Sequence, residues 1–246
     1  MVNVLSVEGL VKKYGRKTVV NHLSFSMESG QITGLLGPNG AGKTTTFYMI
    51  VGFIRANGGT IRLNETDITD LPMYKRSKLG LSYLPQESSI FRKLTVEDNI
   101  NLVIQTRKDL DKEEKRDLLE SLISDFGIGK VRKQYGYTLS GGERRRTEIA
   151  RSLATSPRFL LLDEPFAGID PKAVYEIKQI IKELSRRGIG ILLTDHNVRD
   201  ALSITTCAHI INEGEILISG TSEELINNET AQEIYFGHDF ARGLGL

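Results

Sequence analysis

With 246 residues, 39% hydrophobic and 26% charged, the chain has the composition of an ordinary soluble globular protein, enough for one large domain or two small ones. A formal charge of +1 leaves no basic footprint for nucleic acid, and a single cysteine, Cys207, rules out an internal disulfide and a cysteine metal site. The longest apolar run, Phe47 to Ile54, is far too short to span a membrane, and no basic-then-apolar signal opens the sequence, so a cytosolic protein is expected that reaches any membrane through a partner.

In chain order, strands are expected at Val4–Tyr14 and Thr18–Met27, joined at Gly15-Arg16-Lys17, and then at Ile32–Leu36. A helix is expected from Thr44 to Ile54. Gly58-Gly59 leads to a strand at Thr60–Leu63, and Leu81–Leu84 is another. From Thr95 the pattern turns helical. Thr95-Val96-Glu97-Asp98 has the form of a capped start, and Asp111–Phe126 carries Leu118, Leu119, Leu122, Ile123 and Phe126 at helical spacing. Ser140 caps a helix from Gly141 to Ala154, with Arg144, Arg145, Arg146 and Arg151 taken as a solvated face. Strands return at Arg158–Leu162, Ile189–Thr194, Ala208–Asn212 and Glu215–Ser219. Between the first two lies a helix at Pro171–Arg187, with Pro at its first position and one apolar face. Continuous apolar runs at Phe159–Leu162 and Ile189–Leu193 suit strands covered on both sides. Cys207 is expected as a small buried hydrophobe. The whole reads as an α/β nucleotide-binding core, residues 1–85 and 158–220, with a helical insertion at 86–157 and a helical tail at 221–246.

Gly37-Pro38-Asn39-Gly40-Ala41-Gly42-Lys43-Thr44 matches the phosphate-binding loop G-x-x-x-x-G-K-[ST] in full, at a strand-to-helix turn. There, backbone N–H groups and the positive end of the helix dipole face an anion, Lys43 reaches the β- and γ-phosphates, and Thr44 ligates Mg²⁺. Thr45 follows within the same cradle. The chain is expected to bind a nucleoside triphosphate. Downstream, Leu160-Leu161-Leu162-Asp163-Glu164 sets two carboxylates at the carboxyl end of a buried strand. Taken alone, the pair could equally close a strand. With the P-loop upstream, Asp163 is expected to hold Mg²⁺ and Glu164 to act on water. Ser140-Gly141-Gly142 opens a helix that could take a second anion or be an ordinary cap.

The P-loop, Leu-Pro-Gln at 84–86, Leu-Ser-Gly-Gly-Glu at 139–143, Leu-Leu-Asp-Glu-Pro at 161–165, Gly-Ile-Asp at 168–170 and Thr-Asp-His at 194–196 stand in the order of the ABC ATPases, which the chain resembles over nearly its whole length. Within that family, the stretches 42–49, 86–92, 141–146 and 194–199 are most similar to the ATPases of bacterial lipopolysaccharide exporters. The resemblance implies a P-loop NTPase (RecA-like) core with an antiparallel β subdomain and an inserted α-helical subdomain. It implies an ATP- and Mg²⁺-dependent homodimer, docked on transmembrane permease subunits at the cytoplasmic face of the inner membrane, that extracts lipopolysaccharide for export to the outer membrane. Branched-chain amino-acid importers and soluble ABC ATPases of DNA repair or translation are the competing families.

By the same resemblance, Tyr14 stacks on adenine, although by sequence it could be a strand-end packing residue. Gln86 senses Mg²⁺ and the attacking water, and Ser140, Gly141 and Gly142 meet the γ-phosphate of the other protomer. His196 holds the γ-phosphate and water, and Asp170 links the two sites. Phe91 and Arg92 line the groove for a helix of the membrane partner. Glu143 replaces the commoner Gln of the family's signature, and His22, His209 and His238 match no motif.

Overall fold

A computed structural model describes residues 2–236 of the chain. It is an α/β structure with two sheets. Strands β1 (Val4–Tyr14) and β2 (Lys17–Glu28) form a long antiparallel hairpin, which β4 (Gly58–Leu63) and β5 (Thr66–Asp67) extend in the order β2-β1-β4-β5. The second sheet joins β3 (Ile32–Leu36), β6 (Leu81–Leu84), β7 (Phe159–Asp163), β8 (Gly190–Thr194), β9 (Cys207–Asn212) and β10 (Glu215–Gly220). Their order is β10-β9-β3-β8-β7-β6. All neighbours in it are parallel except the final β9–β10 pair.

Strands β3, β7 and β8 are buried at every residue, as expected for parallel strands covered on both faces. Alternation along β7 sorts its side chains into two cores. Phe159 and Leu161 pack with Phe47 and Ile50 of helix α1 (Lys43–Val51) and with Leu5, Leu23 and Ile61 of the antiparallel sheet. Leu160 and Leu162 pack with Ile177 and Ile181 of helix α6 (Pro171–Arg186) and with the helical block. Each such fully buried aliphatic side chain contributes about 1.5–3 kcal/mol. Gly190 is glycine for a packing reason: a Cβ there would lie 2.4 Å from the Phe159 ring.

Helix α1 stops at Val51, short of the expected Ile54. Gly52 takes φ +89 and its N–H returns to the Tyr48 carbonyl. The end is held by buried Arg76, whose Nη1 donates to Met49 O and Ile50 O at 2.6 Å each. Arg76 lies on α2 (Met73–Lys78), a short helix the sequence pattern did not reveal.

Between β6 and β7 run α3 (Val96–Ile104), α4 (Lys112–Asp125) and α5 (Gly141–Leu153), each opened by a reciprocal cap from Thr95, Asp111 and Ser140 respectively. After β8 come α7 (Val198–Leu202) and α8 (Ser222–Ile226), then a turn at Glu229–Ala231 and a π-helical turn at Gln232–Phe236. The expected tail at 221–246 therefore lies within the described residues only as far as 236, and His238 lies outside them.

Two further expectations fail. Cys207 is half-buried at the start of β9, not a core residue. The arginines of α5 are not a solvated face: Arg145 is buried and Arg144, Arg146 and Arg151 are half-buried. The helix packs against β6, α3, α4 and α6, so its basic stripe meets carbonyls and carboxylates, including an Arg146–Glu176 ion pair.

Candidate functional site

The P-loop wraps the space between β3 and α1. Gly37 (φ +150) has no room for a side chain, because a Cβ would lie 2.1 Å from Ile211 O. Gly42 (φ +106) would bring one to 2.7 Å from Val19 O. Gly42 is the N-cap of α1, no side chain caps that end, and no acidic residue occupies the first turn. The free N–H groups thus face an open, uncompensated positive helix end. Asn39, Gly40, Gly42, Lys43, Thr44 and Thr45 line a cavity of about 160 Å³ together with Glu164 and His196. Lys43 is 8% exposed, and its Nζ donates to Gly37 O (2.7 Å) and Pro38 O (2.9 Å), which folds the loop around the ammonium. Burial pulls its pKa down, while the Glu164 and Asp163 carboxylates oppose that pull.

Asp163 and Glu164 end β7 beside this cavity. Asp163 is buried, and its Oδ2 accepts a 3.1 Å bond from the Tyr83 hydroxyl. Its Oδ1 has no partner among the described residues. Burial raises its pKa, against the hydrogen bond from Tyr83 and the charges of Arg145 and Lys43. Glu164 takes φ +48, an uncommon left-handed conformation for a side chain of this size. Its N–H donates to Thr194 O, its Oε1 lies 2.6 Å from His196 Nε2, and its buried Oε2 has no partner. Burial lifts its pKa as well, opposed by His196 and reinforced by Asp163 and Asp195. A carboxyl raised in this way is a candidate general base. His196 follows Asp195, whose Oδ1 and Oδ2 accept the Asn197 and Phe166 N–H groups, so one buried carboxylate ties the His196 turn to the Glu164 turn. The sequence reading did not single out Asp195.

The remaining expected residues lie apart from this cavity. Ser140 is exposed at the start of α5, locked into a capping box with Glu143, whose carboxyl those hydrogen bonds hold below its usual range. Gly142 packs so closely that a Cβ would be 2.7 Å from that of Ala173, and Gly141 lies against Gly168 and Ile169. Asp170 caps α6, accepting from Ala173 N at 3.0 Å. Tyr14 is 52% exposed at the end of β1, with the Lys12 ammonium 5.2 Å from its ring centroid.

Gln86 is exposed in a loop that is pinned on both sides. Arg145 Nη1 donates to Pro85 O, and Glu148 Oε1 accepts from Ser88 Oγ, Ser89 N and Ile90 N. Arg145 also donates to the carbonyls of Asp163, Glu164 and Pro165 and pairs with Glu148. One buried ion pair on α5 therefore joins the Gln86 loop to the end of β7. The sequence reading missed it, and no composition signal separates these two residues from surface charges. Phe91 is 48% exposed with Arg151 stacked 5.1 Å from its centroid, and Arg92 is exposed. Nearby, Tyr48, Phe53, Met73, Tyr83 and Arg151 line a groove of about 380 Å³.

A family model described as ABC transporter matches residues 20–167. The chain is 49% identical over 239 residues to the lipopolysaccharide export system ATP-binding protein LptB of Haemophilus influenzae, a match covering 97% of this chain and 99% of that protein. It is 48% identical over 236 residues to LptB of Escherichia coli K12, covering 96% and 98%. The crystal structure of an ATP-binding cassette of an ABC transporter in its ADP conformation shares the fold, with a TM-score of 0.85 over 96% of this chain and 99% of that one, at 24% identity.

Proposed function

The chain belongs to the ABC transporter family of ATP-binding proteins, and from that premise we propose that it is the ATPase subunit of a lipopolysaccharide exporter. The observation that carries the chemistry is the convergence of the P-loop, Glu164 and His196 on one cavity. Near-full-length identity of 49% to LptB supports the cargo.

Lys43 and the α1 N-terminus would bind the phosphates, and Tyr14 would stack on the base. A buried, unpartnered carboxylate oxygen at Asp163 and a hydroxyl at Thr44, which lines the P-loop cavity, are the hard oxygen donors a small cation takes, and Thr44, Asp163 and Gln86 would hold Mg²⁺. When bound, Mg²⁺ neutralises charge on the β- and γ-phosphate oxygens. Glu164 would accept the proton of the water that attacks the γ-phosphorus as the bond to ADP breaks. His196, already 2.6 Å from Glu164, would orient that water and the γ-phosphate.

Ser140, Gly141, Gly142 and Asp170 do not line this chain's own cavity, which supports a role at the cavity of a second copy. Two protomers related by a two-fold would each present the α5 N-terminus to the partner's ATP, giving two nucleotides per dimer. Among the described residues no helix is long and apolar enough to cross a membrane. Attachment to the cytoplasmic face of the inner membrane would then run through permease subunits seated at Phe91 and Arg92. Purification of the tagged protein from detergent-solubilised membranes tests this. The expected result is an ATP-hydrolysing complex with two permease subunits whose activity drives lipopolysaccharide release. A protein recovered without membrane partners would refute it.

A further inference from the structure

Tyr83 lies between the Asp163 carboxylate and the aromatic groove. On β6 it pairs in register with Leu161 of β7, and Asp163 is two residues further along, on the same face of the sheet. Its hydroxyl reaches Asp163 Oδ2 at 3.1 Å, while Asp163 Oδ1 stays buried and unpartnered. Its ring meets Phe53 edge-to-face at 5.6 Å and Tyr48 at 6.4 Å, and these two meet each other at 5.5 Å. All three rings line the 380 Å³ groove, and Tyr48 belongs to α1, the helix whose other end closes the P-loop.

Such T-shaped contacts are directional, so a ring that tilts obliges its neighbours to move. A phenol that donates to one carboxylate oxygen fixes the carboxylate plane and leaves the second oxygen for a cation. An ionised carboxylate can only accept, so in the 3.1 Å contact the phenol is the donor.

We propose that Tyr83 is a positioning residue with two ends: its hydroxyl orients Asp163 toward the cation, and its ring carries the state of that carboxylate to the aromatic wall of the groove. This rests on the assignment of Asp163 as a Mg²⁺ ligand. It adds a second link between nucleotide site and groove, independent of the Gln86 loop.

The chain contains no tryptophan, so Phe53→Trp places one fluorophore in the ring cluster. In a Phe53→Trp/Glu164→Gln parent, chosen to prevent turnover, ATP is bound first without Mg²⁺ and Mg²⁺ is then titrated. The same titration is run with Tyr83→Phe added, which removes one oxygen and keeps the ring. Mg²⁺ is expected to change the emission of the parent. With Tyr83→Phe, that change should fall by more than half, and half-saturating Mg²⁺ should rise by about tenfold or more, the scale of one lost hydrogen bond to a charged group. ATP affinity without Mg²⁺ should not move.

Equal responses and equal Mg²⁺ dependence in the two proteins would overturn the proposal. So would a parent that is stabilised by Mg-ATP in thermal melting yet silent in fluorescence. A Tyr83→Phe variant that melts several degrees lower with an unaltered Mg²⁺ response would assign the hydroxyl to the fold instead, and would equally overturn it. A parent with no Mg-ATP stabilisation at all would refute the ATPase reading itself, a distinct result.

Discussion

Replacing Arg145 by Met keeps most of the buried stem and removes the guanidinium. Five acceptors then lose a donor: the carbonyls of Pro85, Asp163, Glu164 and Pro165, and the Glu148 carboxylate, which is 2% exposed. Breaking a buried ion pair from one side costs about 3–5 kcal/mol, because the other charge is left uncompensated. Arg151, half-buried and also within electrostatic reach of Glu148, moderates this and places the loss near the lower end, about 3 kcal/mol. For a chain of this length each kcal/mol moves the melting temperature by about 2–4 °C, so Arg145→Met should melt roughly 6–12 °C lower. The same reasoning fixes the sign of a second change. Glu148→Gln added to Arg145→Met removes the stranded charge and keeps an oxygen for the Ser89 and Ile90 amides, so the double variant should melt higher than Arg145→Met alone. Thermal melting of the nucleotide-free protein reads both effects. A drop under 2 °C for Arg145→Met, or no recovery in the double variant, would refute the role given to this pair.

Glu164→Gln should bind ATP normally, accumulate as a closed dimer in size-exclusion chromatography with Mg-ATP, and hydrolyse at least about a hundredfold more slowly, the lower bound for losing a general base. Near-normal turnover would remove Glu164 from that role. Tyr14→Ala should weaken nucleotide binding by roughly fivefold to tens-fold, since base–aromatic stacking is worth about 1–3 kcal/mol in nucleic-acid complexes, while Tyr14→Trp should retain it. Unchanged affinity in Tyr14→Ala by calorimetry would contradict stacking. Phe91→Ala should leave melting and basal ATPase rate of the isolated protein intact and lose the membrane partners on co-purification. A large fall in melting temperature would make Phe91 a core residue. Glu97 is held down to about 2 by its hydrogen bonds from Arg132 and Lys133, so its contribution is complete above about pH 4.5 and fades as pH falls toward 2. The melting gap between parent and Glu97→Gln, kept within about 1 kcal/mol by solvent screening, should therefore be open at pH 7, narrow below about pH 4.5 and close only as pH reaches about 2.

What the sequence disclosed and what it withheld differ in kind. The P-loop, the apolar strands β7 and β8 and the Pro-led helix α6 rest on local chemistry: glycines where side chains cannot fit, an unbroken apolar run up to the last residue where both faces are covered, a capping Asp170 before Pro171. Such features are legible because the residue and its immediate neighbours determine them. The end of α1 was misjudged because apolar continuity through Ile54 resembles helix, whereas Gly52 in the left-handed region decides the boundary. Arg145 and Glu148 were illegible for a deeper reason. Three arginines in a row at the surface and the same three over a sheet end have one sequence, and only the packing of α5 against the end of β7 makes the middle one a hub. Tyr83 shows the same limit from the apolar side. In a strand it counts as one more large residue, and its hydroxyl acquires a role only because register places it beside β7, two residues before a carboxylate. The groups that would touch nucleotide are thus written locally. Those that would hold them in place are written in the contacts between distant segments, where a single sequence carries no signal.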